Sequence, residues 1–138
     1  MTHPMARFPI SDDQICRVMD AFYARVRAHP ELGKVFGNHI GTTDADWDAH
    51  IEKITNFWRN AILREPVYNG NPMQVHMQAR DVRVGHFDPW LGLFEEVLRA
   101  ELPQDVAETW LALTHRIARG FKIQLADRDN PSGIPALV

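Results

Sequence analysis

The stretch Trp47-Asp48-Ala49-His50-Ile51-Glu52-Lys53-Ile54-Thr55-Asn56-Phe57-Trp58 decides the class of fold. Trp47, Ile51, Ile54 and Trp58, with Ile62 a turn further on, recur at helical spacing and form one apolar stripe. His50 and Phe57 widen that stripe on one side. Thr43 or Asp44 caps the start of this helix, and Pro66 stops it. Outward from it the same period holds almost everywhere. Ser11 and Gln14 make a capping box ahead of Ile15, Val18, Met19, Phe22, Tyr23 and Val26. That helix ends at His29-Pro30, because a proline disfavours helical backbone in the residue before it. Pro30 starts a short turn of helix through Leu32, Val35 and Phe36, and Gly37 to Thr43 reads as a loop.

Downstream, Asn71-Pro72 supplies an N-cap followed by a proline at the first helical position, opening a short helix that Gly85 limits. Asp88-Pro89 repeats the signal ahead of Trp90, Leu91, Phe94, Val97, Leu98 and Leu102. Val106, Trp110, Leu113, Ile117, Phe121 and Leu125 mark the last helix. No segment alternates with period two. The expected fold is all-α, with about five main helices and at least one short one, packed as two crossing antiparallel pairs.

The bulk properties narrow the class. A chain of 138 residues fits one domain, with a core from about 11 to 126 and a flexible tail over 127–138. Charged residues are 24% and hydrophobic ones 45%, ordinary for a globular protein, and the net charge of −3 offers no basic face for nucleic acid or an anionic membrane. Cys16 is the single cysteine, which excludes an intrachain disulfide and fits a reducing compartment. The first residues lack the apolar run of a signal peptide, and no stretch nears the roughly 18 apolar residues of a membrane span. The expected location is the cytoplasm. Phosphate-cradling glycine loops, nucleophile elbows and zinc-protease histidine pairs are all missing.

Two histidines then hold the chemical interest. His76 sits about one turn into the helix opened by Asn71-Pro72, with Met73 and Met77 beside it. His50 lies at the edge of the apolar stripe. Phe, Trp, Ile and Met surround both in sequence, a supply suited to sandwiching a flat apolar ring whose iron takes a neutral imidazole nitrogen. That describes a haem, and without a Cys-x-x-Cys-His sequence it is held non-covalently. Plainer readings stand beside this one. His76 also reads as a surface histidine, His50 as a boundary residue, Tyr23 as a tyrosine with its hydroxyl in water, and Trp90 as core packing. Cys16 reads as a small hydrophobe rather than a reactive thiol, and His86 competes as an iron ligand. From another class comes a haem-free helical domain that binds a non-haem metal or serves as an interaction module; acidic ligands near His50 and His76 are scarce.

The order of features resembles the truncated haemoglobins of the third, bacterial group. It comprises Phe22-Tyr23, Val26-Arg27, Leu32-Gly33, Phe36, Ile40-Gly41-Thr42, Trp47, His50, Phe57-Trp58, Tyr68-Asn69-Gly70-Asn71-Pro72, His76, Trp90-Leu91 and Leu93-Phe94. The likeness runs from about Ile15 to Phe121, and the isolated glycines fit a group that lacks the glycine pairs of the other two. It implies a truncated globin-like two-over-two helical sandwich around haem b. His76 resembles the proximal iron ligand; Tyr23, His50 and Trp90 resemble distal residues; Phe36, Ile54, Phe57, Met73, Met77 and Arg80 fall where the haem is contacted. Lys53, Arg80 and Arg83 are the nearby candidates for the propionates.

The resemblance also implies the diatomic ligands O₂, NO and CO. Donors such as Tyr23 and Trp90 favour O₂ over the less polarised CO, by about 1 kcal/mol per hydrogen bond. Tight holding fits ligand capture, sensing or NO and O₂ redox chemistry with an unidentified reductase better than bulk oxygen transport. A nitric oxide dioxygenase or peroxidase-like activity stays open. His50 is expected to control entry, with a pH dependence near the ordinary histidine pKa of about 6.5.

Overall fold

The computed structural model describes residues 6–130. Six α-helices follow in order: α1 (Asp12–Ala28), α2 (Pro30–Ile40), α3 (Asp44–Trp58), α4 (Pro72–Gln78), α5 (Phe87–Glu101) and α6 (Gln104–Asp129). A π-helical turn, Arg59–Leu63, extends α3, and a 3₁₀ turn, Val84–His86, leads into α5. Among the described residues there is no strand. No helix is long and apolar enough to cross a membrane among them.

α1 packs on α3, α5 packs on α6, and α1 crosses onto α5, so the two pairs lie against each other as expected. Aromatic rings fill the crossing. Phe94 of α5 lies 4.9 Å from Phe22 of α1 and 5.6 Å from Trp110 of α6, and it stacks on Trp58 of α3 at 5.9 Å. All four side chains are buried, and offset or edge-to-face rings add about 0.5–1.5 kcal/mol per pair beyond their area. α2 seats tightly on the end of α1. A Cβ at Gly33 would stand 2.6 Å from the Arg27 carbonyl oxygen, so only glycine permits that approach.

Caps fix the helix starts. Ser11 and Gln14 form their capping box. Thr43 caps α3, with Asp46 reaching back. Asn71 accepts from the Gln74 amide at 3.1 Å.

Several boundaries differ from expectation. α2 runs past Gly37 to Ile40, because nothing there opposes helix and the break falls at Gly41, whose φ is 116°. α3 ends through the π-turn and Arg64, whose φ is 64°, before Pro66 is reached. α5 starts at Phe87, one residue before Asp88. Asp88 is therefore no N-cap; its carboxylate accepts from Lys122 Nζ at 3.4 Å. Of the tail expected from residue 127, Asp127, Arg128 and Asp129 belong to α6, and Arg128 is buried. The rest of that tail, 131–138, lies outside the described residues.

Candidate cofactor site

A cavity opens among the six helices, with lining residues from each of them. The stripe of α3 explains it: Trp47 and Trp58 are buried, whereas Ile54 and Phe57 on the same helix stay half-buried. They line a cleft holding about 850 Å³ of empty space, its mouth included. Leu32 and Phe36 of α2, Val82, Phe87 and Trp90, and Ile117 and Phe121 of α6 are among its lining residues. The lining is mostly apolar. Its polar side chains are Tyr23, His50, His76, His86, Thr114 and the Trp58 and Trp90 indoles.

On the α4 side, the His76 ring is wedged by Phe121, 4.8 Å away, and by Phe87, stacked at 6.3 Å. Its Nδ1 lies 2.6 Å from the Pro72 carbonyl oxygen. A carbonyl only accepts, so Nδ1 carries the proton and Nε2 keeps a lone pair. Burial pushes the His76 pKa below the ordinary value; the Pro72 contact opposes that shift and the Arg128 charge adds to it. The ring is therefore neutral at pH 7.

His86 is differently placed. Its Nδ1 accepts from the Arg83 amide at 2.9 Å and its Nε2 pairs with Glu31 at 3.1 Å. Both His86 ring nitrogens are engaged, whereas only Nδ1 of His76 is.

On the α1 and α3 side, His50 sits edge-on to Tyr23 at 5.2 Å and to Phe36 at 6.2 Å. His50 Nε2 is buried without a hydrogen-bond partner. Burial, with a smaller contribution from Lys53, lowers its pKa to about 4. The titration expected near 6.5 therefore moves well below neutrality. Tyr23 is buried, and burial pushes its pKa upward, so its hydroxyl remains protonated. No protein group bonds to that hydroxyl or to the Trp90 indole N–H among the described residues. Trp90 is held by Phe22, edge-on at 5.1 Å, and by Phe94, stacked at 5.3 Å.

Of the residues expected at this site, Tyr23, Phe36, His50, Ile54, Phe57, His76 and Trp90 all line the cavity. Met73, Met77 and Arg80 do not line it. Met77 packs instead on the cluster around Phe87 and Leu125, and Arg80 is exposed. Phe121 and Phe87 escaped the sequence reading as ring-holding residues, although Ile117 and Phe121, four apart, already marked one face of α6. Cys16 is half-buried, with Arg59 Nη2 3.2 Å from its sulfur, and burial and Asp12 push its thiol pKa upward, so it is not an activated thiol.

The cleft is mostly apolar, and its lining includes the neutral His76 imidazole and the buried, unpartnered His50 Nε2. The chain is 36% identical, over 116 residues, to the group 3 truncated hemoglobin ctb of Campylobacter jejuni, covering 84% of this chain and 91% of that protein. This chain belongs to the group III truncated haemoglobins. The crystal structure of the group III truncated hemoglobin from Campylobacter jejuni superposes with a TM-score of 0.82 at 36% identity, covering 88% of this chain and 95% of that one. Against profiles of known protein families the chain has no match. Membership in the truncated haemoglobins implies haem binding and small gaseous ligands. The residues present fit that group, since His76 offers a neutral nitrogen and His50 Nε2 lacks any other partner. Among the described residues no cluster of three His, Cys, Asp or Glu side chains stands ready for a non-haem metal.

Proposed function

We propose that this truncated haemoglobin holds haem b non-covalently through His76, with Tyr23, His50 and Trp90 around a diatomic ligand on the opposite face. One observation carries the reading. The 2.6 Å contact from His76 Nδ1 to the Pro72 carbonyl fixes the tautomer that leaves Nε2 basic and unpartnered. When bound, haem supplies a ferrous iron able to take O₂, NO or CO.

The chain's own residues set what happens to such a ligand. The Phe36, Ile54 and Phe57 side chains exclude bulk water, which strengthens every polar interaction inside. Among the described residues the Tyr23 hydroxyl and the Trp90 indole N–H have no protein acceptor, so their hydrogen bonds are free for a polarised ligand. O₂ accepts such bonds better than CO, and two of them slow its release by about one to two orders of magnitude. Neutral His50, at the edge of the apolar face and lining the cavity, is the residue assigned to admitting ligand, by rotating between cavity and solvent. The proximal partner is a backbone carbonyl rather than a carboxylate, so His76 gains little of the basicity that a carboxylate partner would lend it. This supports capture of O₂ and NO chemistry on the held ligand, with electrons from a reductase, over a peroxidase role.

The direct test is to titrate the purified protein with hemin. One equivalent should produce a sharp Soret band, and the reduced protein should show different spectra with O₂ and with CO. A colourless protein that leaves hemin free sinks the proposal.

A further inference from the structure

The helix that carries His76 is weakly supported. α4 spans only seven residues and has no buried residue among them. A helix that short has negligible stability of its own, and its last carbonyls lack intrahelical partners. Something outside α4 must hold it. The Arg128 side chain, near the end of α6 and only 3% exposed, reaches its C-terminal turn. Arg128 Nη1 donates to the His76 carbonyl at 2.9 Å and to the Ala79 carbonyl at 3.1 Å. Nη2 donates to the Val82 carbonyl at 2.6 Å. The remaining donors meet Asp129: Nε to Oδ1 at 2.8 Å and Nη2 to Oδ2 at 3.1 Å. Every guanidinium N–H thus has an acceptor, the condition for burying an arginine.

The contacts have a direction. Asp129 orients and neutralises the guanidinium, and Arg83, 3.5 Å from the same carboxylate, braces it from the other side. The free edge of the fork then engages three carbonyls in the segment between His76 and the cavity wall. A cation placed there also complements the negative end of α4. The His76 carbonyl, which the helix itself leaves without a donor, is the one held nearest the ring-bearing Cα.

We propose that Arg128 is the positioning residue of the proximal side, fixing the height and tilt of His76 through the backbone of α4. It touches neither ligand nor ring. The proposal rests on His76 being the iron ligand, as argued above. Lysine cannot replace it fully, since one ammonium group does not reproduce a planar fork spanning three carbonyls.

The test compares the haem-loaded wild type with Arg128→Met, Arg128→Lys and Asp129→Asn. Three readouts apply: the iron–histidine stretching band of the ferrous protein by resonance Raman, the rate of haem loss to excess apomyoglobin, and amide exchange over 72–82. Arg128→Met should shift or broaden the band, raise amide exchange in α4 and speed haem loss by roughly tenfold or more, since hydrogen bonds to a charged group are lost. Arg128→Lys should fall between it and wild type. Asp129→Asn keeps the three carbonyl acceptors but loses the charge that orients the fork, so its band should shift less than that of Arg128→Met. If Arg128→Met does not fold well enough to load haem, the lysine variant reads the same band. An unchanged band and unchanged α4 exchange in either arginine variant overturn the proposal. So does an Asp129→Asn band shifted as far as that of Arg128→Met, because the effect would then not run through the carbonyls. A wild-type protein with no iron–histidine band at all fails the His76 assignment instead, which separates the two failures.

Discussion

Acidification should destabilise this protein through His50 before any carboxylate is protonated. In the fold, burial among Tyr23, Phe36 and Trp47 lowers the His50 pKa from 6.5 to about 4. In the unfolded chain it returns to about 6.5. Between those values the unfolded state binds the extra proton, so stability rises with pH across that window and falls as pH drops through it. Integrating the linkage relation from about pH 7 to about pH 5 gives a loss on the order of 2 kcal/mol. With a urea slope of about 1–3 kcal/mol/M, the midpoint should fall by roughly 1 M. The assay is urea unfolding of the CO-saturated protein and of His50→Leu at both pH values. Any contribution from His76 appears in both proteins and cancels in the difference. The wild type should lose about 2 kcal/mol more than the variant on acidification. Equal losses in the two proteins would refute the buried, neutral state of His50.

Tyr23→Phe and Trp90→Phe should each speed O₂ release by about tenfold while leaving CO release nearly unchanged, measured by ligand replacement in a stopped-flow instrument; unchanged O₂ rates in both would refute donation by these groups. Hydrogen bonds from Arg59 hold the Asp12 carboxyl below the usual carboxylate range. Its contribution is therefore present above the unfolded pKa of about 4 and is lost as pH falls through the folded value. Asp12→Asn should lower the thermal midpoint at neutral pH and reduce the further drop on acidification below about pH 4; an identical acid profile would count against the pair.

The sequence made the helical order legible because apolar periodicity and caps act locally. Ser11 with Gln14, Thr43 and Asn71-Pro72 name their helix starts without tertiary help. That His50 and His76 matter to one site was legible for a related reason: His50 sits at the edge of an apolar face, His76 follows a fixed helix start, and both line the cavity. The half-burial of Ile54 and Phe57 was not, because periodicity shows which face points inward and not whether core or cavity lies beyond it. Asp88 misled because its cap signature was overridden by the 3₁₀ turn that starts the helix a residue earlier. Arg128 was hidden for the deepest reason. A charged residue beside Asn130-Pro131 reads as a solvated tail, and only the fold brings carbonyls from 46 to 52 residues away to bury it.

The central claim is that His76 ligates the iron, and the ferrous spectrum of His76→Leu tests it most directly. The wild type should show the optical and resonance Raman signature of a five-coordinate, histidine-ligated ferrous haem. His76→Leu should lose that signature, by failing to retain haem or by holding it without a histidine bond, while His86→Leu keeps it. A normal histidine-ligated ferrous spectrum in His76→Leu would contradict the account.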